Sequence, residues 1–300
     1  FMKIFITGSN GLLGQKLLNK LQYSRLFHLI ASSKGKSRVK NKCNYEYYEL
    51  DITDKIAVSK LIRDVSPDVV INTAAMTNVD FCEEHREKCY DLNVKAVEYL
   101  ADECFKINAH LIHISTDFIF DGKFGPYKED DQPNPLSYYG LSKLKSEKII
   151  TSHKVKYTIL RTIVLFGVAE NITKNNIVLW AKSALKNKEK INIVDDQFRA
   201  PTLAEDLADA CILAAMKKIE GVYHVSGKDI MSIYEMVTRI AMHFNYSCDN
   251  LNRIKTNTLN QKAVRPKKTG FILEKAKHDL AYNPHSFEEA LDIIDKQLIN

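Results

Sequence analysis

Lys3-Ile4-Phe5-Ile6-Thr7-Gly8-Ser9-Asn10-Gly11-Leu12-Leu13-Gly14 opens the chain, and its reading decides the fold. Lys3 to Thr7 is a short apolar strand that runs straight into glycines. From Leu12 to Leu21 the apolar residues recur at helical spacing. Glycines at a strand-to-helix turn let the backbone come close to a pyrophosphate, and the helix start offers free N–H groups and a partial positive charge. Glycine spacing alone carries little weight. A strand before it and a helix after it make Gly8, Asn10, Gly11, Leu12, Leu13 and Gly14 a dinucleotide-binding turn.

The alternation continues outward from this turn. Strands are expected at Phe27 to Ala31, Tyr45 to Leu50, Asp68 to Asn72, Ala109 to Ser115 and Tyr157 to Arg161. Helices are expected at Ile56 to Val65, over one long stretch from about Glu83 to Asn108, and from about Leu136 to Ser152. Short apolar strands alternating with helices predict an α/β fold, a doubly wound parallel Rossmann-type sheet covered on both faces. Beyond Gly167 the pattern turns irregular: helices at Asn176 to Lys186, Leu203 to Met216, Ile233 to Phe244 and Phe287 to Leu298, with short strands at Ile191 to Val194 and Gly221 to Val225. We read residues 1–168, with segments returning at about 194–227, as the nucleotide-binding domain. Residues 169–193 and 228–300 form a smaller substrate-binding C-terminal lobe.

The end of the second strand bears on the cofactor. An NAD site usually has a carboxylate there for the ribose hydroxyls. Here the segment holds Ser32, Ser33 and Lys34, with Arg38 close by. Hydroxyls and cations suit a 2′-phosphate, so NADP(H) is favoured over NAD(H). Asp51, ending the third strand, is placed to meet the adenine amino group. Its alternative role is a helix cap, which Thr53 or Asp54 could fill instead.

A second motif lies in Ser137-Tyr138-Tyr139-Gly140-Leu141-Ser142-Lys143. Residues four apart share a helix face, so Tyr139 aligns with Lys143, while Tyr138 is turned about 100° away. A free phenol titrates near pH 10, and a neighbouring ammonium is expected to bring it toward the working range. Ser115-Thr116-Asp117 ends the fifth strand, at the edge of a parallel sheet where ligands bind. Thr116, Tyr139 and Lys143 are therefore the candidate catalytic set.

Composition excludes several classes. The 300 residues are 45% hydrophobic and 27% charged, as in an ordinary globular protein with a real core. No apolar run reaches the length of a membrane span. Six cysteines in a chain this long make no disulfide framework, which points to a reducing cytoplasm. Phe1 reads as an addition ahead of a natural start at Met2. The excess of 43 basic over 37 acidic residues is mild. The lysine clusters at Lys34 to Lys42 and Lys182 to Lys190 lack interleaved aromatics and read as solvated faces, not as a nucleic-acid site. Cys82, His85 and Cys89 fall at i, i+3 and i+7 but have no fourth partner, so no metal is assigned. Trp180 has the spacing of a core residue. Asn176 reads equally as a helix cap or a substrate contact. Arg265 precedes a proline that keeps the chain extended, where it could reach a pyrophosphate bidentately or a surface carboxylate.

The glycine turn, "INTAAMTNVD", "STDFIFDG", "SYYGLSK", "DDQFRAPT" and "AVRPKKTGF" together resemble the dTDP-4-dehydrorhamnose reductase family of the extended short-chain dehydrogenase/reductases, from about Met2 to Leu298. The resemblance implies hydride transfer from a nicotinamide to a 4-keto nucleotide-sugar. By position it implies that Thr116 holds the substrate carbonyl, Tyr139 supplies the proton and Lys143 binds the nicotinamide ribose. Ala74 and Ala75 would line the cofactor cleft, with Ile52 and Asn93 also on the cofactor side. Asp117, Phe118, Asn176, Arg199 and Arg265 would face the sugar nucleotide. Arg199 stands where the family often has glycine. Neither nucleic acid nor membrane is expected as a partner, and the chain is compatible with a homodimer. Three rivals remain. A dehydratase would want a carboxylate after Asp117, where Phe118 stands. An epimerase usually uses NAD. The third is a non-catalytic NADP-binding regulatory subunit, since the β subunit of methionine adenosyltransferase resembles the same family.

Overall fold

A computed structural model describes residues 1–40, 44–172 and 175–299. Lys42, in the first lysine cluster, lies outside them. β1 (Met2–Thr7), β2 (Phe27–Ser33), β3 (Tyr45–Glu49), β4 (Val69–Asn72), β5 (His110–Thr116) and β6 (Lys156–Thr162) pair in parallel in the order 3-2-1-4-5-6. The strand Gly221–His224 extends this sheet to seven by pairing in parallel with β6.

Each central strand is apolar on both sides because helices cover both faces. On one face α1 (Leu12–Leu21) and α8 (Ala204–Lys217) pack against Ile4, Ile6, Ile71 and Ile112. On the other, α2 (Lys55–Val65) and α5 (Ala96–Lys106) cover Phe5, Val70 and Leu111, and Ile150 of α6 (Tyr138–Ser152) joins them. The chain thereby brings the carboxyl ends of β1, β4 and β5 side by side, opposite the start of α6. No helix among the described residues is long and apolar enough to cross a membrane.

A separate core holds the C-terminal lobe. Val178, Ala181 and Leu185 of α7 (Ile177–Lys186), Met236, Val237 and Ile240 of α9 (Ile233–His243), and Leu291 and Ile294 of α11 (Phe287–Ile299) pack around Phe166 and Met231. Trp180 does not join them: it is 38% exposed, on the outer side of α7, so its core role is not observed. Two further elements escaped the sequence pattern. Leu251–Ile254 pairs in parallel with Ile191–Val194. A seven-residue helix, α10 (Glu274–Leu280), returns to the main sheet and buries Ala276 and Leu280 in its core.

The expected long helix from Glu83 is broken into pieces. α3 (Val79–Glu84) stops at His85, whose backbone leaves the helical region at φ −126°, and α4 (Arg86–Tyr90) restarts beyond it. A π-helical turn, Asp91–Lys95, then leads into α5. Such turns often re-aim a side chain. Here the turn aims Asn93 inward, where its amide accepts from Met76 N (2.8 Å) and donates to Met76 O (3.0 Å) and Ser142 Oγ (3.0 Å). Asn93 thus pins the loop after β4 to α6.

Candidate active site

The glycine turn is tight for a steric reason. Gly8 lies at φ +68°, and a Cβ there would stand 2.6 Å from Ala74 N, so the exit of β4 presses directly on the turn. Gly11 starts α1 without any side-chain cap, which leaves the helix N–H groups to a ligand. Asn10 holds the turn to the β2–β3 connection. Its N–H donates to Ser33 Oγ (2.9 Å), its amide donates to Lys36 O (2.8 Å), and its Oδ1 accepts from Arg38 N (2.9 Å). Lys34 is exposed and paired with Asp51 at 2.7 Å, which raises the lysine's pKa through that hydrogen bond. Asp54, rather than Asp51 or Thr53, caps α2. Ser32 is fully buried with its hydroxyl toward Ile6 O, and Ile52 packs in the core under α2.

From this turn a cleft of about 480 Å³ runs across the sheet edge to α6. Asn10, Gly11, Leu12, Leu13 and Arg38 line one end. Ala74 and Ala75 form a wall. Ser115, Thr116, Asp117, Phe118, Tyr139 and Lys143 line the far side, and Asn176 lines the lobe side. Tyr139 and Thr116 meet because α6 approaches the turn after β5 unusually closely. A Cβ at Gly140 would stand 2.1 Å from Phe118 O, so only glycine permits the approach. Ser137 caps α6, accepting from Gly140 N at 3.2 Å, which starts the helix one turn ahead of Lys143. Tyr139 and Thr116 line the same stretch of the cleft. Tyr138 turns away, under the Arg86 guanidinium at 5.2 Å.

The electrostatics differ from the sequence expectation. Burial holds the Tyr139 phenol above its ordinary pKa, opposed by the hydrogen bond from Thr116. It therefore stays protonated at neutral pH and has a proton to give. The Lys143 Nζ lies 2.9 Å from His113 Nε2. Burial lowers Lys143 to about 8, with Glu147 and Cys89 opposing. Cys82 and Cys89 pack in a small buried cluster with Tyr139, while His85 is exposed with its ring against Phe81. Among the described residues no group of side chains could hold a metal ion.

The substrate-side candidates separate. Thr116 Oγ1 lies 3.1 Å from Asp117 Oδ1, and Asp117 Oδ2 accepts from Thr269 at 2.5 Å. Burial raises the Asp117 pKa, and Arg199 leads the opposing groups. Arg199 is itself 2% exposed. It donates to Phe198 O and Pro266 O, both at 2.7 Å, and its guanidinium lies over the Phe118 ring. It therefore forms the floor under Asp117 and Phe118 and does not line the cleft. Arg265 stands outside the cleft lining, clasping Asp80 of α3 bidentately at 2.7 and 3.1 Å. Asn176 caps α7, accepting from Leu179 N, and also faces the cleft. Sequence reasoning missed His113, and it placed Ser115 at the ligand-binding end of β5 without assigning it a role. Ser115 Oγ is buried without a partner and lines the cleft, as does the cap-free helix start, so the residues present fit a dinucleotide with polar groups at both ends.

A parallel sheet in this order, a glycine turn under the first helix and a Tyr-x-x-x-Lys pair at the sheet edge define an extended short-chain dehydrogenase/reductase. Within that class the chain belongs to the family described as the RmlD substrate binding domain, whose model matches residues 2–299. It is 32% identical to a dTDP-4-dehydrorhamnose reductase of Aggregatibacter actinomycetemcomitans over 301 residues, 96% of this chain and 97% of that one. It is also 33% identical to the methionine adenosyltransferase 2 subunit beta of Bos taurus over 257 residues, 84% of this chain and 75% of that one. Among solved structures it resembles the dTDP-4-dehydrorhamnose reductase of Bacillus anthracis in complex with NADP. The TM-score is 0.86 at 28% identity, covering 99% of each chain.

Proposed function

We propose that the protein is an NADPH-dependent reductase of a nucleotide-linked 4-keto-6-deoxy sugar, with dTDP-4-dehydrorhamnose as the leading substrate. The observation that carries this reading is the convergence of Thr116, Tyr139 and Lys143 on one cleft that begins at the glycine turn. A bound nicotinamide would supply the hydride. As negative charge grows on the sugar oxygen, Thr116 would hold that oxygen by a hydrogen bond and Tyr139 would pass it a proton. Thr116 donates to Asp117 Oδ1 and could bond the carbonyl only by turning that one proton away from Asp117. Lys143 would bind the ribose.

The preference for NADP rests on Ser33, Lys34 and Arg38. Lys34 would exchange Asp51 for the 2′-phosphate, at little cost because an exposed ion pair is screened by water. Asp51 would then be left beside the adenine. On the substrate side, Asp117, Phe118 and Asn176 would meet the sugar, with Arg199 holding the first two in place. Arg265 would leave Asp80 for the diphosphate, in a substrate site between the lobe of residues 169–193 and 228–300 and the domain of residues 1–168 and 194–227. The five cysteines among the described residues are free, four of them buried, which suits a reducing cytoplasm.

Mixing the protein with NADPH and a panel of nucleotide-linked 4-keto sugars, and following loss of NADPH absorbance, tests the proposal. Turnover of one such sugar supports it. The likeness to methionine adenosyltransferase 2 subunits favours a second reading, a non-catalytic NADP-binding subunit, which tight NADPH binding without turnover of any sugar would support.

A further inference from the structure

His113 stands in the middle of an apolar strand, 1% exposed. Its Nε2 lies 2.9 Å from Lys143 Nζ and 3.1 Å from Ser146 Oγ, and its Nδ1 lies 3.1 Å from Asn72 Nδ2. Asn72 Oδ1 in turn accepts from Thr7 Oγ1 at 2.6 Å. Thr7 and Asn72 are register partners between β1 and β4, and Asn72 and His113 between β4 and β5. The three side chains therefore form one polar rung across three adjacent strands. It runs from the residue before Gly8 to the amine in the cleft. Hydrophobic side chains would serve a buried sheet at least as well, because a buried polar group gains little beyond what its hydrogen bond returns. The rung needs a reason other than folding, and it ends on Lys143.

We propose that His113 is a positioning residue for Lys143, fixing where the amine stands and keeping it hydrogen-bonded in both its protonated and its neutral form. The inference rests on the reading of Lys143 as the residue that binds the nicotinamide ribose. A neutral imidazole has one donor and one acceptor nitrogen. With its proton on Nδ1, given to the Asn72 amide oxygen, Nε2 accepts from the lysine ammonium. With its proton on Nε2, it donates to the neutral amine while the Asn72 NH₂ donates to Nδ1. Turning the Asn72 amide by 180° joins the two arrangements, and the Thr7 hydroxyl can donate or accept in either. His113 itself stays neutral, because burial and then the Lys143 charge hold its pKa well below the ordinary value. The charged and titratable groups around Lys143 are Glu147 of α6, which is paired with Arg161 of β6, together with Cys89 of α4 and Tyr139. Among the described residues, His113 is the hydrogen-bond partner of the amine.

The test reads the lysine directly, without cofactor or turnover. In protein carrying ¹³C-labelled lysine, the Lys143 Cε signal, assigned by its loss in Lys143→Arg, should titrate near pH 8. His113→Leu removes the partner of both forms and should lower that pKa by about one unit, the difference between a hydrogen bond to a charged group and one to a neutral amine. His113→Gln puts an amide oxygen near the Nε2 position and should restore it. NADPH binding, measured by calorimetry, should weaken as pH rises through the same pKa and follow the same order among the variants. An unshifted titration in folded His113→Leu would overturn the proposal. Should that variant not fold, ¹⁵N shifts of the wild-type imidazole decide: His113 should exchange its Nδ1 proton for an Nε2 proton as Lys143 loses its charge. An unchanged tautomer would also overturn it. A protein that passes these tests yet reduces no sugar fails only the reductase reading, and an active reductase with an unmoved lysine fails only this one.

Discussion

Gly140→Ala should disable the site without altering any side chain in it. The added Cβ would stand 2.1 Å from Phe118 O, 2.9 Å from Phe118 C and 3.1 Å from Pro135 Cβ, where ordinary contact is 3.4–4 Å. A backbone carbonyl cannot rotate aside, so α6 and the turn after β5 must part by roughly 1 Å, the scale on which packing is felt. Tyr139 precedes Gly140 and Thr116 lies two residues before Phe118, so the separation falls between Tyr139 and Thr116, which line the same cleft. Overpacking of this kind costs about 1–3 kcal/mol, which should lower Tm by several degrees in a thermal unfolding scan. Misplacing a catalytic group by about 1 Å can cost 10²-fold in rate, so kcat for NADPH-dependent sugar reduction should fall by about that factor. Leu141→Ala, at the next and exposed position, serves as the control and should behave as wild type. If Gly140→Ala matched Leu141→Ala in both Tm and kcat, the close approach would not be what assembles the site.

Three other outcomes are expected. NADPH should bind more than about tenfold tighter than NADH by calorimetry, since one charge-assisted contact to the 2′-phosphate is worth roughly 1.5–3 kcal/mol; equal affinities would contradict the cofactor assignment. Arg265→Ala should raise KM for the sugar nucleotide and spare NADPH affinity, and equal weakening of both would show that Arg265 does not serve the substrate. Glu103 tests the scaffold. Burial works to raise its pKa, but hydrogen bonds from Arg63, Lys106 and Ser59 outweigh it and hold the carboxyl at about 2. Because the folded pKa is depressed, this stability is present above the unfolded value near 4.3 and is lost as pH falls toward 2. Glu103→Gln should therefore destabilise by roughly 2 kcal/mol at pH 7 and by much less at pH 2 in denaturant unfolding; an equal loss at both would refute the ionic account.

The elements that a local pattern can announce were legible in the sequence. The glycine turn, the apolar strands and the four-residue step from Tyr139 to Lys143 each express a period or a turn preference. What stayed hidden depends on neighbours distant in the chain. His85 interrupts an otherwise helical run, and the π turn at Asp91–Lys95 has no apolar signature. Lys34 meets Asp51 only because β2 and β3 are adjacent. Arg199 looked like a ligand group from its motif, yet three backbone carbonyls and Asp117 receive it beneath the cleft. Tyr139 was expected to be acidified, but burial raises its pKa, and for the contact of Lys143 with His113 β5 offered one local hint in a histidine within an apolar strand. Trp180 kept helical spacing but fell on the exposed side of α7.

The central claim is that Tyr139 delivers the proton in a nicotinamide-dependent reduction. Tyr139→Phe keeps the ring against Phe118 and removes only the hydroxyl. Initial rates of NADPH oxidation with the best nucleotide-linked 4-keto sugar, alongside NADPH affinity by calorimetry, measure it most directly. The account predicts a kcat about 10²- to 10⁴-fold lower with NADPH affinity nearly unchanged. A Tyr139→Phe protein turning over near the wild-type rate would contradict it.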